Sequence, residues 1–411
     1  MGIELNEDQL FTAMDMEHWF RSGTKQTYEI SGAAGTGKTT MVLYLIEQLG
    51  LSLDEVLFMA YMGKAATQLA RHGLPAKTIH SSIYDYEVVP VKDENGHRIF
   101  LSDGRVKVKG QFVLKDHMKK KIKLIVIDEC GMVPVDIAKD ILSYDLPVIA
   151  LGDLNQLPPV FGNPYFLQKP DSILRKVMRQ SEGNPIIWLS QQILQGNYLK
   201  PGVYGNSAVI HRADLNDYMF KKADIVLTER NNIRKSVNDY YRKYLLKYNN
   251  LLRPYIGEKV ICRKNNWDLS LGKGVFFTNG LTGTLTDVNM SSFNGKTIKV
   301  DFMPDFINKS FGSVPVSYNH LFNLDEKMTD REKAGERYLD KIEFAYAITT
   351  HSSQGSQYPN VVFLEDERGV WSADMRKRIH YTAVTRAMDQ VTYVLNTSGG
   401  NERWETVLLR C

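Results

Sequence analysis

Four sets of residues could do chemistry by their types and spacing. Gly32 to Thr39 fits G-x-x-x-x-G-K-[ST]. Such a loop captures an anion: glycines let backbone N–H groups close round phosphates, and the following helix adds its positive end. Gly32, Gly35, Thr36 and Gly37, with Lys38, Thr39 and Thr40, are therefore the expected nucleotide contacts. Lys38 should reach the β- and γ-phosphates, and the Thr39 hydroxyl should bind Mg²⁺. The second set is Asp128-Glu129, two acids closing an apolar run. Asp128 can hold Mg²⁺ facing Thr39, and Glu129 can orient or deprotonate an attacking water; a solvated acidic pair is the alternative. Third is Gln156, after another apolar run, placed to sense a γ-phosphate or a water. Fourth is Arg386, a candidate arginine finger or an ordinary surface ion pair. Gln9 offers an amide that suits an adenine edge, although a surface glutamine is the commoner case.

The elements that must position these groups alternate strand and helix. Tyr28–Ile30 reads as a strand entering the glycine loop. Met41, Leu45, Ile46 and Leu49 put a helix after it. Residues 55–60, 123–128 and 146–151 are apolar runs of the kind found in buried parallel strands. Ligands of open α/β sheets sit beyond the carboxyl ends of strands, which places Tyr61 and Lys64 for a substrate. His80 is either a core histidine or a ligand contact. From residue 86 to 114 the texture changes. Turns at Asn95-Gly96 and Asp103-Gly104, and the alternation Arg105-Val106-Lys107-Val108-Lys109, predict a β-ribbon. A second α/β unit follows, with residues 172–194 helical and broken near Gly183-Asn184-Pro185. Short strands with turns at Asn279-Gly280 and Asn294-Gly295 predict a small barrel-like insertion. The chain then returns to α/β, ending in Tyr381 to Ala387 and a strand at 391–395.

Bulk composition sets limits. The chain has 411 residues, enough for two or more domains. Its charge is 51 − 47 = +4, so any nucleic-acid surface must be local. Lys119-Lys120-Lys121 with Lys123, and Arg376-Lys377-Arg378, are the basic runs. The three cysteines show no C-x-x-C spacing, which fits a reducing cytoplasm and predicts neither a disulfide frame nor a zinc site. No run of roughly 18 apolar residues and no signal pattern is present, so no membrane partner is expected.

Taken in order, these segments resemble superfamily 1 helicases of the RecD-like and Dda-like branch. Gln9 is similar to the Q motif, Gly32–Thr40 to motif I, Ala60–Ala66 to motif Ia and Lys77–His80 to motif Ib. Asp128-Glu129 resembles motif II, and Gly152-Asp153 through Gln156-Leu157-Pro158-Pro159-Val160 resembles motif III. Arg179-Gln180 resembles motif IV, Thr350-His351 through Ser353-Gln354-Gly355 motif V, and Tyr381 to Ala387 motif VI. Departures are Ser352 where many relatives have Lys, Cys130 after the acids, and Tyr61-Met62-Gly63 in place of a Pro-Thr pair.

The resemblance implies two RecA-like P-loop domains that clamp ATP with Mg²⁺. Lys38, Thr39, Asp128, Glu129 and Gln156 come from the first, and Arg179 and Arg386 from the second. Gln9, Gln354 and Gly355 are implied on the nucleotide side. Tyr61, Lys64, Thr78, His80, Thr350 and His351 are implied on the nucleic-acid side. It implies a domain 1A at 1–85 and 115–171, a ribbon (pin) 1B at 86–114, a domain 2A at 172–253 and 340–411, and an SH3-like barrel 2B at 254–339. The expected activity is 5′ to 3′ translocation on single-stranded DNA with unwinding of duplex junctions, by a cytoplasmic monomer working beside replication or recombination proteins. An RNA-directed enzyme of the same branch is the alternative, and a P-loop NTPase of another class is a second.

Overall fold

The computed structural model describes residues 5–33, 35–71, 73–93, 95–100, 106, 108–159, 164–174, 183–272, 275–324, 328–329, 336, 338–366, 371–396 and 404–410. The chain forms two compact units. The first comprises Met1–Gly32, Gly37–Asp153 and Phe161–Arg175; the second comprises Ala33–Thr36, Leu154–Val160 and Lys176–Cys411.

In the first unit the order is α1 (Glu7–Ser22), β1 (Thr27–Gly32), α2 (Lys38–Gln48), β2 (Val56–Ala60), α3 (Gly63–Arg71), β3 (Lys77–Thr78) and α4 (Ile79–Ile83). It continues with β4 (Tyr84–Pro90), β5 (Val108–Leu114), β6 (Leu124–Asp128), α5 (Val135–Leu142), β7 (Val148–Gly152) and β8 (Ser172–Leu174). Six strands make one parallel sheet, ordered β3-β2-β6-β7-β1-β8. Its middle strands are buried on both faces, which is why Leu124–Ile127 and Val148–Leu151 are unbroken apolar runs. β4 and β5 form a separate antiparallel ribbon. Gly96 takes φ 83° at the first expected turn. The second, Asp103-Gly104, lies outside the described residues, as do Arg105 and Lys107.

One expectation needs correcting. Ser172–Leu174 is not helical but a strand, paired in parallel with β1 at Ile30↔Ser172 through Gly32↔Leu174. Pairing at a sheet edge outweighs the local pattern. Tyr28 and Ser172 hydroxyls, 2.8 Å apart, join the two strands. Among the described residues the next helix is α6 (Pro185–Leu194), where the Asn184 side chain accepts from the amide of Ile186 at 2.9 Å and Pro185 presets the first turn.

The second unit continues with β9 (Gly202–Tyr204), β10 (Ser207–His211), α7 (Asp217–Lys222), β11 (Ile225–Thr228) and α8 (Asn231–Tyr240). Strands β12 (Lys259–Cys262), β13 (Asn266–Gly272), β14 (Val275–Phe277), β15 (Thr282–Asn289), β16 (Thr297–Pro304), β17 (Phe311–Ser317) and β18 (Ile342–Phe344) follow. The unit goes on with β19 (Ala347–Thr349), β20 (Tyr358–Leu364), the helix Ala373–Thr385 and β21 (Ala387–Leu395), and its last described helix is Trp404–Leu408. Its main sheet runs β19-β11-β20-β21-β10-β9, parallel except for β9. Numbering the parallel strands by chain order gives 3-2-4-5-1. The first sheet, less β8, has the same order.

Between β11 and β19 lies an antiparallel sheet, β17-β16-β15-β12-β18. Along β16, Ile298, Val300 and Phe302 are buried alternately, the signature of a strand with one face inward. Phe302 and Phe311 each meet Phe277 edge-on at 5.3 Å. Gly280 and Gly295, at φ 86° and 85°, make the two expected Asn-Gly turns. The sheet runs past residue 339, because Ile342–Phe344 pairs with β12.

Candidate active site and nucleic-acid interface

The glycine loop joins β1 to α2. Gly35 and Gly37 have φ 82° and 75°, a region that side chains with Cβ rarely adopt. Thr36 is fully buried, and its hydroxyl and amide both donate to the Ala33 carbonyl, at 2.9 and 3.3 Å. Lys38 opens α2 and its ammonium donates to the Gly32 carbonyl at 2.5 Å. Thr39 and Thr40 occupy the first turn of α2, Thr39 half-buried and Thr40 exposed.

Asp128 ends β6. Strand β7 lies between β6 and β1, with Ile127 level with Ala150 and Ser31 level with Gly152. The carboxyl ends of β6, β7 and β1 are thus neighbours, and the acid pair and the loop leave the same edge of one sheet. Burial raises the Asp128 carboxyl above its ordinary range; the Lys38 charge and the Glu129 amide, donating at 2.9 Å, pull it down. Lys38 is therefore electrically coupled to Asp128. Glu129 takes φ 51° and ψ 41°, left-handed for a non-glycine residue. Such positions cost of order 1–3 kcal/mol and gather at functional sites. A 3₁₀ turn, Cys130–Met132, follows. Burial, then the negative charges of Glu29, Asp128 and Glu129, push the Cys130 thiol well up. Cys130 and Cys262 are both buried free thiols.

Gln156 sits in the segment Leu154–Val160, which belongs to the second unit. That segment is tied by side chains of the same unit. Arg378 donates to the carbonyls of Leu154 and Gln156 at 2.5 and 3.2 Å. The Leu157 amide donates to the Thr382 hydroxyl at 3.1 Å, and Gln354 donates to the Leu157 carbonyl at 2.6 Å. The sequence resemblance implied Gln354 on the nucleotide side, and met Arg378 only as part of a basic run and Thr382 only within motif VI. Ser372 caps this helix by accepting from Met375, and successive residues of a helix, 376–378 among them, point in different directions. The run Arg376-Lys377-Arg378 is accordingly not one basic surface: Arg376 pairs with Glu365, and Arg378 with Asp374 at 2.9 Å.

Gly355 takes φ 69°. Arg386 is 3% exposed, and its guanidinium donates to the carbonyls of Thr382 and Ser356 at 3.3 and 3.2 Å. Arg179 lies outside the described residues. Gln9 is buried, and its side-chain oxygen accepts from the Asn6 amide while Asn6 caps the Gln9 amide, both at 3.0 Å. This reciprocal pair starts α1.

Among the residues expected to meet nucleic acid, Tyr61 follows β2 and Lys64 lies in the first turn of α3. Thr78 caps α4, its hydroxyl accepting from Ser81 at 3.2 Å. His80 is half-buried among the rings of Tyr61, Tyr84 and Phe112, at 5.9, 5.6 and 5.2 Å, and burial lowers its imidazole. Thr350 is fully buried, with amide and hydroxyl on the Thr228 carbonyl at 2.9 and 3.3 Å. His351 is half-buried, lowered by burial, with Trp371 at 6.4 Å. No helix among the described residues is long and apolar enough to cross a membrane.

Two family models match the chain: an AAA domain over residues 20–162 and a UvrD-like helicase C-terminal domain over 344–394. The chain is 24% identical to an uncharacterised protein of Methanocaldococcus jannaschii, over 89% of this chain and 36% of that one. It is also 24% identical to the ATP-dependent RecD2 DNA helicase of Deinococcus radiodurans, over 93% of this chain and 48% of that one. It thus spans about a third to a half of these relatives. A Bacteroides Pif1 helicase crystallised with ADP-AlF3 and single-stranded DNA is similar at 16% identity and a TM-score of 0.49, covering 98% of this chain and 94% of that one. With the glycine loop and acid pair on one edge of a RecA-like sheet, and motifs V and VI in the region of the second match, the chain is similar to RecD-like helicases of superfamily 1.

Proposed function

We propose that the chain is an ATP-dependent DNA helicase that translocates 5′ to 3′ on single-stranded DNA and opens duplex ahead of it. The observation that carries this reading is the pairing of a phosphate loop with Asp128-Glu129 at neighbouring strand ends, in a chain whose second sheet repeats the same strand order. In this reading Lys38 and the loop amides hold the phosphates. The Thr39 hydroxyl and Asp128 carboxylate are hard oxygen donors of the kind Mg²⁺ takes, and the ion, when bound, neutralises phosphate charge. Glu129 orients and deprotonates the attacking water. Gln156 senses the γ-phosphate, Arg179 and Arg386 stabilise the charge developing on it, and Gln9, Gln354 and Gly355 complete the nucleotide side.

Hydrolysis then depends on closure of the two RecA-like domains, expected at 1–85 with 115–171 and 172–253 with 340–411, with Ser172–Leu174 falling in the first. Tyr61, Lys64, Thr78, His80, Thr350 and His351 grip the strand. The ribbon at 86–114 is the pin that splits the duplex, and the insertion at 254–339, SH3-like in this reading, helps retain the strand. The protein works as a monomer at duplex junctions.

The test is unwinding, with ATP and Mg²⁺, of duplexes bearing either a 5′ or a 3′ single-stranded tail of DNA or RNA. Opening of the 5′-tailed DNA alone supports the proposal. Opening of the 3′-tailed substrate reverses the polarity, preference for RNA tails changes the substrate, and no opening of any substrate removes the helicase activity.

A further inference from the structure

The ribbon is tied at its root to the helix that follows the acid pair. β4 and β5 pair from Tyr84↔Leu114 out to Pro90↔Val108. Just below, the Lys115 amide donates to the Ile83 carbonyl at 2.9 Å. The Tyr144 hydroxyl lies against both chains there, 3.1 Å from the Ile83 carbonyl and 2.7 Å from that of Lys115. Beside it the Tyr84 hydroxyl donates to the Asp140 carboxylate. The Lys115 ammonium reaches the carbonyls of Ser81 and Ser82, each at 3.1 Å. Asp140 lies on α5 and Tyr144 just beyond it; α5 buries Ala138 and Ile141, and its first residue, Val135, comes six after Glu129 (135 − 129).

A two-stranded ribbon is marginally stable alone in water, so its direction must be set by what holds its root. One phenol across the carbonyls of both chains resists splaying and tilting together. We propose that Tyr144, assisted by the Tyr84–Asp140 tie, is a positioning residue that fixes the ribbon's angle to the sheet carrying Asp128 and Glu129. Movement of that sheet is then delivered to the duplex instead of being lost as bending of the ribbon. The proposal rests on the reading of the ribbon as the splitting element.

The test compares the full chain with Tyr144→Phe, which keeps the ring and removes only the hydroxyl. Forks of AT-rich and GC-rich duplex are unwound, and single-strand-stimulated ATPase and thermal melting are measured alongside. The expected result is unwinding of GC-rich forks slowed roughly fivefold, the scale of one lost hydrogen bond. AT-rich forks should be slowed less, and ATPase left within about twofold. Fewer base pairs are then opened per ATP, a ratio that a general loss of folded protein does not alter. Tyr84→Phe carries the same expectation and serves if Tyr144→Phe folds poorly. Unchanged unwinding, or equal falls in unwinding and ATPase with a lowered melting temperature, overturns the positioning role. Failure of the wild-type chain to open any fork overturns the splitting role beneath it.

Discussion

Adding one methyl group at Gly152 tests how closely the sheet edge that carries the acid pair is packed. A Cβ built there lies 2.6 Å from Leu167 Cδ1, 3.1 Å from Cys130 Sγ and 3.4 Å from the Gly131 nitrogen. The Leu167 contact is with the end of a side chain, in a residue whose backbone cannot shift to relieve it. Leu167 is buried, its φ is 67°, and its amide is held by the Glu29 carboxylate at 2.6 Å. Cys130 is fully buried. Overpacking of this kind costs about 1–3 kcal/mol. Any relief on the Cys130 side displaces the turn that begins at Glu129, and a shift of ~1 Å in a reacting group can lower rate about a hundredfold. Gly152→Ala should therefore lose about 1–3 kcal/mol in urea unfolding and at least ~10-fold in single-strand-stimulated ATP turnover. Leu167→Ala in the same chain removes the closest contact and should restore part of the turnover. Wild-type stability and turnover in Gly152→Ala would show that the turn is not wedged between β7 and Leu167, and the reasoning would fail.

Three further outcomes are expected. Lys38→Ala should lower ATP turnover roughly 100- to 1000-fold with the circular dichroism spectrum unchanged; near-normal turnover would remove the phosphate-loop assignment. Arg386→Ala should bind nucleotide within a few-fold of wild type but turn over about 10³-fold more slowly. An unaltered turnover number would leave Arg386 with only its carbonyl contacts to Thr382 and Ser356. Burial lowers His80 and His351, so the unfolded chain binds their protons at a higher pH than the folded chain. The stability this contributes is complete above the ordinary histidine value of about 6.5 and is lost as pH falls through the lowered folded values. His80→Phe should flatten the fall in urea midpoint below about pH 6.5, and an unchanged slope would contradict it.

What the residues revealed beforehand has a physical pattern. β6 and β7 were legible because strands buried on both faces leave unbroken apolar runs, and the loop from Gly32 to Thr39 because phosphate capture needs a fixed spacing. Asn279-Gly280 and Asn294-Gly295 announced turns because glycine tolerates positive φ there. β8 was not legible, since three residues at a sheet edge take their conformation from β1. The basic runs read as solvated faces more often than as binding surfaces, and on the helix Ala373–Thr385 linear neighbours diverge by about 100° each. Lys121 and Lys123, in the other run, pair with Asp54 and Glu55, both at 2.6 Å. Ties such as Tyr144 to Ile83 and Lys115 join residues too far apart for any local pattern to disclose.

The acid pair shows why a strained residue persists at this edge. Glu129 is held left-handed from two sides: its amide by the Asp128 carboxylate at 2.9 Å, and its carbonyl by the Met132 amide at 3.2 Å. The resulting 3₁₀ turn brings Cys130 against β7 only because Gly152 has no side chain. Relaxing Glu129 to an ordinary conformation would break these bonds and lift Cys130 from its buried place, so the strain is opposed by contacts outside Glu129 itself. Lys38 adds a charge that favours the ionised form of Asp128 against burial. Its ammonium is held on the Gly32 carbonyl, so reaching a phosphate exchanges a neutral acceptor for an anionic one, and charge-assisted bonds are roughly twice as strong. A phosphate that takes Lys38 also brings its own negative charge towards Asp128. The two acids are thus positioned by packing, and the charge of Asp128 answers to burial first and to Lys38 second.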